Sequence, residues 1–252
     1  MTLILALACA DGIVMASDGQ ATFSTTGQPV KQPIRKIHSL ASCVLWAGAG
    51  DVGLLQKIGY ALEVVEADKL GLPIKHLRPI LFSTVRPVML EAAQSFIPLG
   101  PNPQPPMADL LFCGYCGHDP WILEISRTAS DVQHEEIGFA AIGSADIFPY
   151  FALTSLAHYG VRQRSTAEGQ LIAYRVLDDA INTAAYGIGM PIRISVVDRP
   201  SDAAQPGQAR PLSIDELRAL EEAVTGWKKT ETDSLAETLG LRPAEGPAAS
   251  LP

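Results

Sequence analysis

The chain has 252 residues, 47 % of them hydrophobic and 18 % charged, and a net charge of −8. That is ample apolar material for a packed core, while scattered acidic residues without a basic cluster argue against a phosphate-backbone partner, so no nucleic acid is expected. Four cysteines (Cys9, Cys43, Cys113, Cys116) are too few for a disulfide framework in a chain of this length, which fits a reducing compartment.

The opening MTLILALACADG lacks a basic flank and is interrupted at Asp11-Gly12, well short of a membrane span. It reads as a strand, and a cytoplasmic protein with no membrane partner is the expectation. Apolar runs at 3–9 and 13–17 flank Ala10-Asp11-Gly12, the chemistry of a tight hairpin. A second strand pair is predicted at 34–38 and 42–46, around Ser39-Leu40-Ala41.

Residues 52–70 carry Leu54, Leu55, Ile58, Leu62 and Val65 at helical spacing and stop at Gly71-Leu72-Pro73. A second helix follows over 76–96, with Pro79 at its start and Pro87 at a kink. After the turn-rich stretch 98–106, strands are predicted at 110–114, 121–125 and 139–142, then helices at 145–159 and 167–186, then a strand at 192–198. This order, strands, two helices, strands, two helices, strand, predicts an α+β fold: a four-layer αββα sandwich with two antiparallel sheets between two helix pairs, over residues 1–198. Residues 199–252 read as a linker (RPSDAAQPGQARP), a capping box at Ser213-x-x-Glu216, an amphipathic helix over 214–227 and a flexible Pro/Ala-rich tail.

Two motifs invite chemistry that their surroundings do not support. Gly48-Ala49-Gly50-Asp51-Val52-Gly53 has the spacing of a dinucleotide-binding turn. Such a unit needs a parallel strand after its first helix, and here a second helix follows, so the glycines read as a closely packed strand-to-helix turn. Cys113-Gly-Tyr-Cys116 has redox spacing, but a hairpin turn and a strand follow it, where a reactive thiol would want a helix N-terminus. No second pair exists to complete a zinc site.

Thr2 follows the initiator methionine, whose removal before a small residue would leave a threonine bearing both a hydroxyl and a free α-amine. The amine has an ordinary pKa of about 7.7 to 8.0, so it can take the hydroxyl proton as the oxygen attacks a carbonyl. MASDGQATFS at 15–24, then PIRKIHSL, LWAGAGD and FAAIGSADIFPYFAL, resemble the proteasome β-subunit superfamily, with SDGQAT especially close to the bacterial HslV proteases. The resemblance covers residues 2–198 and implies the N-terminal-nucleophile hydrolase fold. The tail beyond 198 is absent from the compact HslV chain and suggests another bacterial proteasome homologue with a C-terminal extension.

What the resemblance implies can be carried over residue by residue. Thr2 matches the nucleophile, and Asp18, sixteen residues on, matches the family's acid. Lys36 in IRKI matches the lysine whose charge favours the neutral amine, across a slightly longer loop than usual. Gly48 matches the glycine whose N–H meets the developing oxyanion. Gly50 and Thr22 would pair their backbones with an extended substrate. Trp46, two residues before Gly48 and on the same side of its strand, would make the primary specificity pocket shallow, with Ala21 and Ile34 as neighbouring walls. Ser144 matches a serine beside the amine, and serves equally as a helix N-cap. Where proteasomal subunits carry an Asp and a Ser, this chain has Ala184 and Gly187. The same turn in the family binds sodium or magnesium through main-chain carbonyls, here those of Ile181, Ala184 and Gly187, as a structural ion; no cofactor is required.

The function implied is a threonine-type endopeptidase in stacked homo-oligomeric rings, six- or seven-fold, acting on peptides or unfolded protein with an unfoldase ATPase partner. Two alternatives stay open: a catalytically silent ring subunit that keeps Met1, and an N-terminal-nucleophile amidohydrolase acting on a small amide.

Overall fold

The computed structural model describes residues 2–24, 29–96, 105–134, 136–143, 147–183 and 187–239. The first strand shows why the layers form. β1 (Leu3–Ala8) is buried at all six positions. Side chains alternate along a strand, so Leu3, Leu5 and Leu7 face one core while Ile4, Ala6 and Ala8 face another. A strand covered on both faces reads as a continuous apolar run, as this one does.

β2 (Gly12–Ser17) pairs antiparallel with β1. A separate hairpin, β3 (Gln20–Ser24) with β4 (Pro29–Pro33), leads to β5 (Ile37–Leu40) and β6 (Val44–Gly50). Helices α1 (Val52–Leu62) and α2 (Ile74–Phe96) follow, then β7 (Ala108–Cys116), β8 (Asp119–Ile125), β9 (Asp131–Gln133) and β10 (Phe139–Gly143). Helices α3 (Ile147–Tyr159) and α4 (Thr166–Thr183), strands β11 (Arg193–Asp198) and β12 (Gln208–Pro211), and helix α5 (Ile214–Thr238) complete the described chain.

One sheet has the order β10-β1-β2-β11-β12 and the other β5-β6-β7-β8-β9, all pairs antiparallel. Ile4, Met15, Leu45, Ala47, Leu111 and Cys113 fill the space between them. Leu156, Ile172 and Leu177 cover the outer face of the first sheet, and Ile58, Leu77 and Leu81 that of the second. The αββα sandwich expected from the order of elements is the observed architecture.

Several local expectations are corrected. The β5–β6 turn lies at 41–43, where Ala41 and Ser42 adopt positive φ of 43° and 56°, two residues later than the pattern suggested. The glycines Gly48 and Gly50 belong to β6 itself rather than to a turn after it. The first helix stops at Leu62, and a 3-10 turn at Ala67–Gly71 takes up the rest of its apolar pattern. Pro79 lies inside α2, which begins at Ile74, rather than at its start, while Pro87 is within the helix as expected. The β3–β4 hairpin was not anticipated, because Pro29 and Pro33 at the ends of β4 mask a strand confined to a sheet edge.

The stretch expected to be a linker also carries structure. β12 extends the first sheet by pairing with β11, and Leu212 is buried in the first core. At four residues, with Pro211 at its end, QARP is too short for its pattern to mark it as a strand. The capping box is formed, with Ser213 accepting from the Glu216 N–H and the Glu216 side chain accepting from the Ser213 N–H. α5 runs past Trp227 to Thr238 and lies on α4: Val224 is buried, Trp227 meets Tyr159 edge to face, and the Arg175 guanidinium sits 5.2 Å over the Trp227 ring. Lys228 pairs with Asp178 and Asp179. The remainder of the tail, from 240 on, lies outside the described residues.

Candidate active site

Asp18 ends the pairing of β2 and is fully buried. A buried carboxylate is stable only when its oxygens are saturated, and here they are. Oδ1 accepts from the Leu3 N–H at 3.0 Å and from Lys36 Nζ at 2.6 Å; Oδ2 accepts from the N–H groups of Gln20 at 3.2 Å and Gly189 at 3.3 Å. Gly19 makes this possible. It donates to the Gly189 carbonyl and accepts from the Ile34 N–H, and a Cβ there would stand 2.1 Å from the Pro191 carbonyl oxygen.

Ile34 is thereby tied to the Asp18 turn, and Lys36 follows it into the interior. Its ammonium donates to Thr2 Oγ1 at 3.0 Å as well as to Asp18. Burial lowers the Lys36 pKa and outweighs the opposing pull of the Asp18 charge and hydrogen bond. Thr2 is itself buried, one residue before β1. The three side chains from three segments therefore meet in one hydrogen-bonded line.

A cleft of about 500 Å³ opens beside them, lined by Thr2, Lys36, Ala21, Ile34, Trp46, Gly48 and Gly50. β5 pairs with β6 only up to Ile37↔Ala47, whereas β7 continues alongside β6 to Gly50↔Ala108. The Gly48–Gly50 edge on the cleft side thus has no strand partner among the described residues. Gly50 is sterically required: at φ 141°, a Cβ there would stand 2.0 Å from the Met107 carbonyl oxygen, whereas one on Gly48 would meet only the end of the Leu55 side chain, at 2.2 Å.

Trp46 is only 5 % exposed, its ring stacked between His38 (centroids 4.8 Å apart) and Phe112 (6.3 Å). It forms a wall of the cleft without plugging it. Thr22 is described only by its backbone, in β3 opposite Lys31. Ser144 and Ala184 lie outside the described residues; Gly143, just before Ser144, pairs with Leu3. Ile181 is in the last turn of α4, where helix carbonyls lack intrahelical partners, and Gly187 has φ 95°. Such carbonyls suit a hard cation such as Na⁺ or Mg²⁺. Among the described residues no cluster of His, Cys, Asp or Glu is suited to hold a metal.

The sequence reading missed much of the cleft. His38 in β5 lies two residues after Lys36 and lines the same cleft, a spacing that was available as a signal. Val52, Leu55, Gln56, Gly59, Tyr60 and Glu63 form one face of α1 and its C-cap at i, i+3, i+4 spacing. Burial, and then the nearby Arg35 charge, lower the His38 pKa. Cys113 is buried in β7 with its thiol pKa pushed up by desolvation, the opposite of a redox-active thiol.

An αββα sandwich with a buried Lys–Asp pair on the hydroxyl of a threonine at the head of its first strand is the architecture of the N-terminal-nucleophile hydrolase fold. The family model described as "Proteasome subunit" matches residues 2–190, and the chain belongs to that family. Membership implies a ring-forming subunit. No curated protein sequence matches the chain.

Among solved structures it is similar to Anbu (ancestral beta-subunit) from Yersinia bercovieri, at 15 % identity and TM-score 0.68, over 98 % of this chain and 100 % of that one. It is likewise similar to the Anbu (Gly-1) mutant from Hyphomicrobium sp. strain MC1, at 14 % identity and TM-score 0.68, over 94 % and 99 %. At these identities the likeness is one of fold, and its extent includes most of the region beyond residue 198. No described helix is long and apolar enough to cross a membrane.

Proposed function

We propose that this subunit is a threonine-type endopeptidase, made competent by removal of Met1 and working inside a self-compartmentalising ring. The observation that carries this reading is Lys36 Nζ held between Thr2 Oγ1 and Asp18 Oδ1. Thr2 Oγ1 attacks the scissile carbonyl and its proton passes to the Thr2 α-amine, while the Lys36 charge lowers the cost of ionising the hydroxyl. The carbonyl oxygen becomes an oxyanion met by the Gly48 N–H. The amine returns its proton to the leaving nitrogen, the C–N bond breaks, and an ester joins Thr2 Oγ1 to the acyl half. Water, deprotonated by the same amine, attacks the ester, frees the acid and restores the hydroxyl.

The unpartnered Gly48–Gly50 edge would pair with an extended substrate, with the Thr22 backbone on the other side, so the substrate is a peptide or an unfolded segment. Ser144 would relay a proton beside the amine. The carbonyls of Ile181, Ala184 and Gly187 would hold a structural Na⁺ or Mg²⁺ that stiffens the turn. Stacked six- or seven-fold rings in the cytoplasm, fed by an unfoldase ATPase, complete the reading.

The test is the intact mass of the purified protein with and without an electrophilic peptide inhibitor directed at N-terminal threonine. The expected result is a chain lacking Met1 that gains the inhibitor's mass, with the gain abolished in Thr2→Ala. A chain that keeps Met1 and stays unmodified overturns the proposal in favour of a silent ring subunit. Hydrolysis of a small amide with none of peptides would assign an amidohydrolase instead.

A further inference from the structure

The nucleophile and the oxyanion glycine belong to different sheets. Thr2 leads into β1 of the first sheet, and Gly48 lies in β6 of the second, and the two sheets share no strand. The separation of the Thr2 hydroxyl from the Gly48 N–H therefore depends on how one sheet is seated on the other. Lys36, just before β5, bridges the sheets through Thr2 and Asp18.

A second bridge lies at the same end of the sandwich. Arg127 sits in the turn between β8 and β9, which is shaped by hydroxyl contacts of Ser126 with Thr128 and Ser130. Its N–H donates to Asp109 Oδ1 at 2.8 Å, its Nε lies 3.2 Å and 3.1 Å from Asp109 Oδ1 and Oδ2, and its Nη2 donates to Oδ2. Asp109 is buried and stands opposite Ala49, the residue between the two cleft glycines. The same Nη2 reaches the Gly143 carbonyl at 3.4 Å, and Gly143 is the strand partner of Leu3, next to the nucleophile. One guanidinium thus touches the neighbour of the oxyanion strand and the neighbour of the nucleophile strand. A planar fork holds a carboxylate in a fixed orientation, which a flexible point charge does not.

We propose that Arg127 and Asp109 are positioning residues that fix the oxyanion strand against the nucleophile strand, so that Gly48 meets the charge formed by attack of Thr2. This rests on the peptidase reading above. Misplacing a reacting group by about 1 Å costs about 100-fold in rate, so loosening the pair should lower turnover more than it weakens ground-state binding.

The experiment compares the processed, assembled wild type with Asp109→Asn, Arg127→Met and Arg127→Lys, using steady-state hydrolysis of a fluorogenic peptide and inhibition by a peptide aldehyde, whose adduct places an oxyanion at Gly48. Asp109→Asn keeps the shape of the side chain, so it guards against simple misfolding of Arg127→Met. The expected result is a kcat lower by about 10- to 100-fold with KM within about twofold, and aldehyde affinity falling in parallel. Arg127→Lys should recover part of the loss, since it pairs with Asp109 but lacks the fork. Variants that stay assembled with wild-type kcat and aldehyde affinity, whatever their Tm, overturn the proposal. Should the wild type show neither turnover nor adduct, the peptidase reading falls, and amide hydrogen exchange judges the pair: faster exchange in Arg127→Met at both 3–5 and 48–50 supports it, and unchanged exchange at either overturns it.

Discussion

Lys36 Nζ stands 3.0 Å from the hydroxyl oxygen of Thr2. The ammonium is buried and its other described partner is Asp18, so its charge acts on the hydroxyl with little screening by water. Lys36→Met is expected to lower peptide hydrolysis by about 100- to 1,000-fold. It should also destabilise the fold by about 3–5 kcal/mol, because Asp18 is left buried without its counter-charge. Denaturant melts of Lys36→Met and of Lys36→Met combined with Asp18→Asn separate the two effects. The double variant should regain stability and remain inactive.

Gly19 and Gly48 tolerate a methyl group differently. At Gly19 the new Cβ meets the Pro191 carbonyl, a backbone atom that cannot rotate away. Gly19→Ala should cost about 1–3 kcal/mol and loosen Asp18. At Gly48 it meets the end of the Leu55 side chain, which lines the cleft and can swing into it. Gly48→Ala should therefore lose less in Tm and more in kcat/KM. Melting curves and peptide hydrolysis measured on both variants check this ordering.

His38 gives stability a dependence on pH. Its pKa is below the ordinary 6.5 in the folded protein because burial and Arg35 disfavour the cation. A depressed pKa means that the unfolded chain binds the proton more readily. The contribution is present above pH 6.5 and is lost as pH falls through the lowered value. His38→Phe, which keeps a ring stacked on Trp46, should flatten stability against pH in that window. Chemical denaturation at a series of pH values from 7 downwards measures it.

Trp46 should set which side chain the cleft admits. Packed between His38 and Phe112, with Gly59 of α1 against its ring, it is a fixed wall beside Ala21 and Ile34. A peptide library is expected to show poor cleavage after large aromatic residues. Trp46→Ala should relax that limit while costing about 3–5 kcal/mol of stability. A clear aromatic preference in the wild type would contradict this assignment of the wall.

The layered fold was legible because each layer leaves a periodic mark: the double-faced strands as apolar runs, the helices as i, i+3, i+4 stripes. The Thr2, Asp18 and Lys36 cluster was reachable only through the ordered motifs that surround it, since an Asp-Gly turn and a strand-end lysine carry no signal of their own. Two kinds of feature were not legible. β4 and β12 are short edge strands that carry prolines, and their pairing is made by backbone groups that leave no mark in the side-chain pattern. The Arg127–Asp109 pair joins residues eighteen positions apart through a turn, and neither residue type at that spacing distinguishes it from surface charge.

The segment beyond Asp198 is expected to be integral to the fold. Leu212 and Val224 sit in the core over the first sheet, and β12 donates the Ala209 N–H to the Ser42 carbonyl in the β5–β6 turn, linking the two sheets at that end. Trp227 is the anchor of α5: it packs on Tyr159, and Arg175, which pairs with Asp179 and Glu231, lies across its ring. Trp227 is half-buried, so Trp227→Ala should cost about 1–3 kcal/mol, less than a fully buried aromatic would. Truncation after Asp198 removes the β12 pairing and uncovers Ile194 and Val196, so it should abolish soluble expression. A truncated chain that melts like the full one would show that α5 and β12 are an appendage after all.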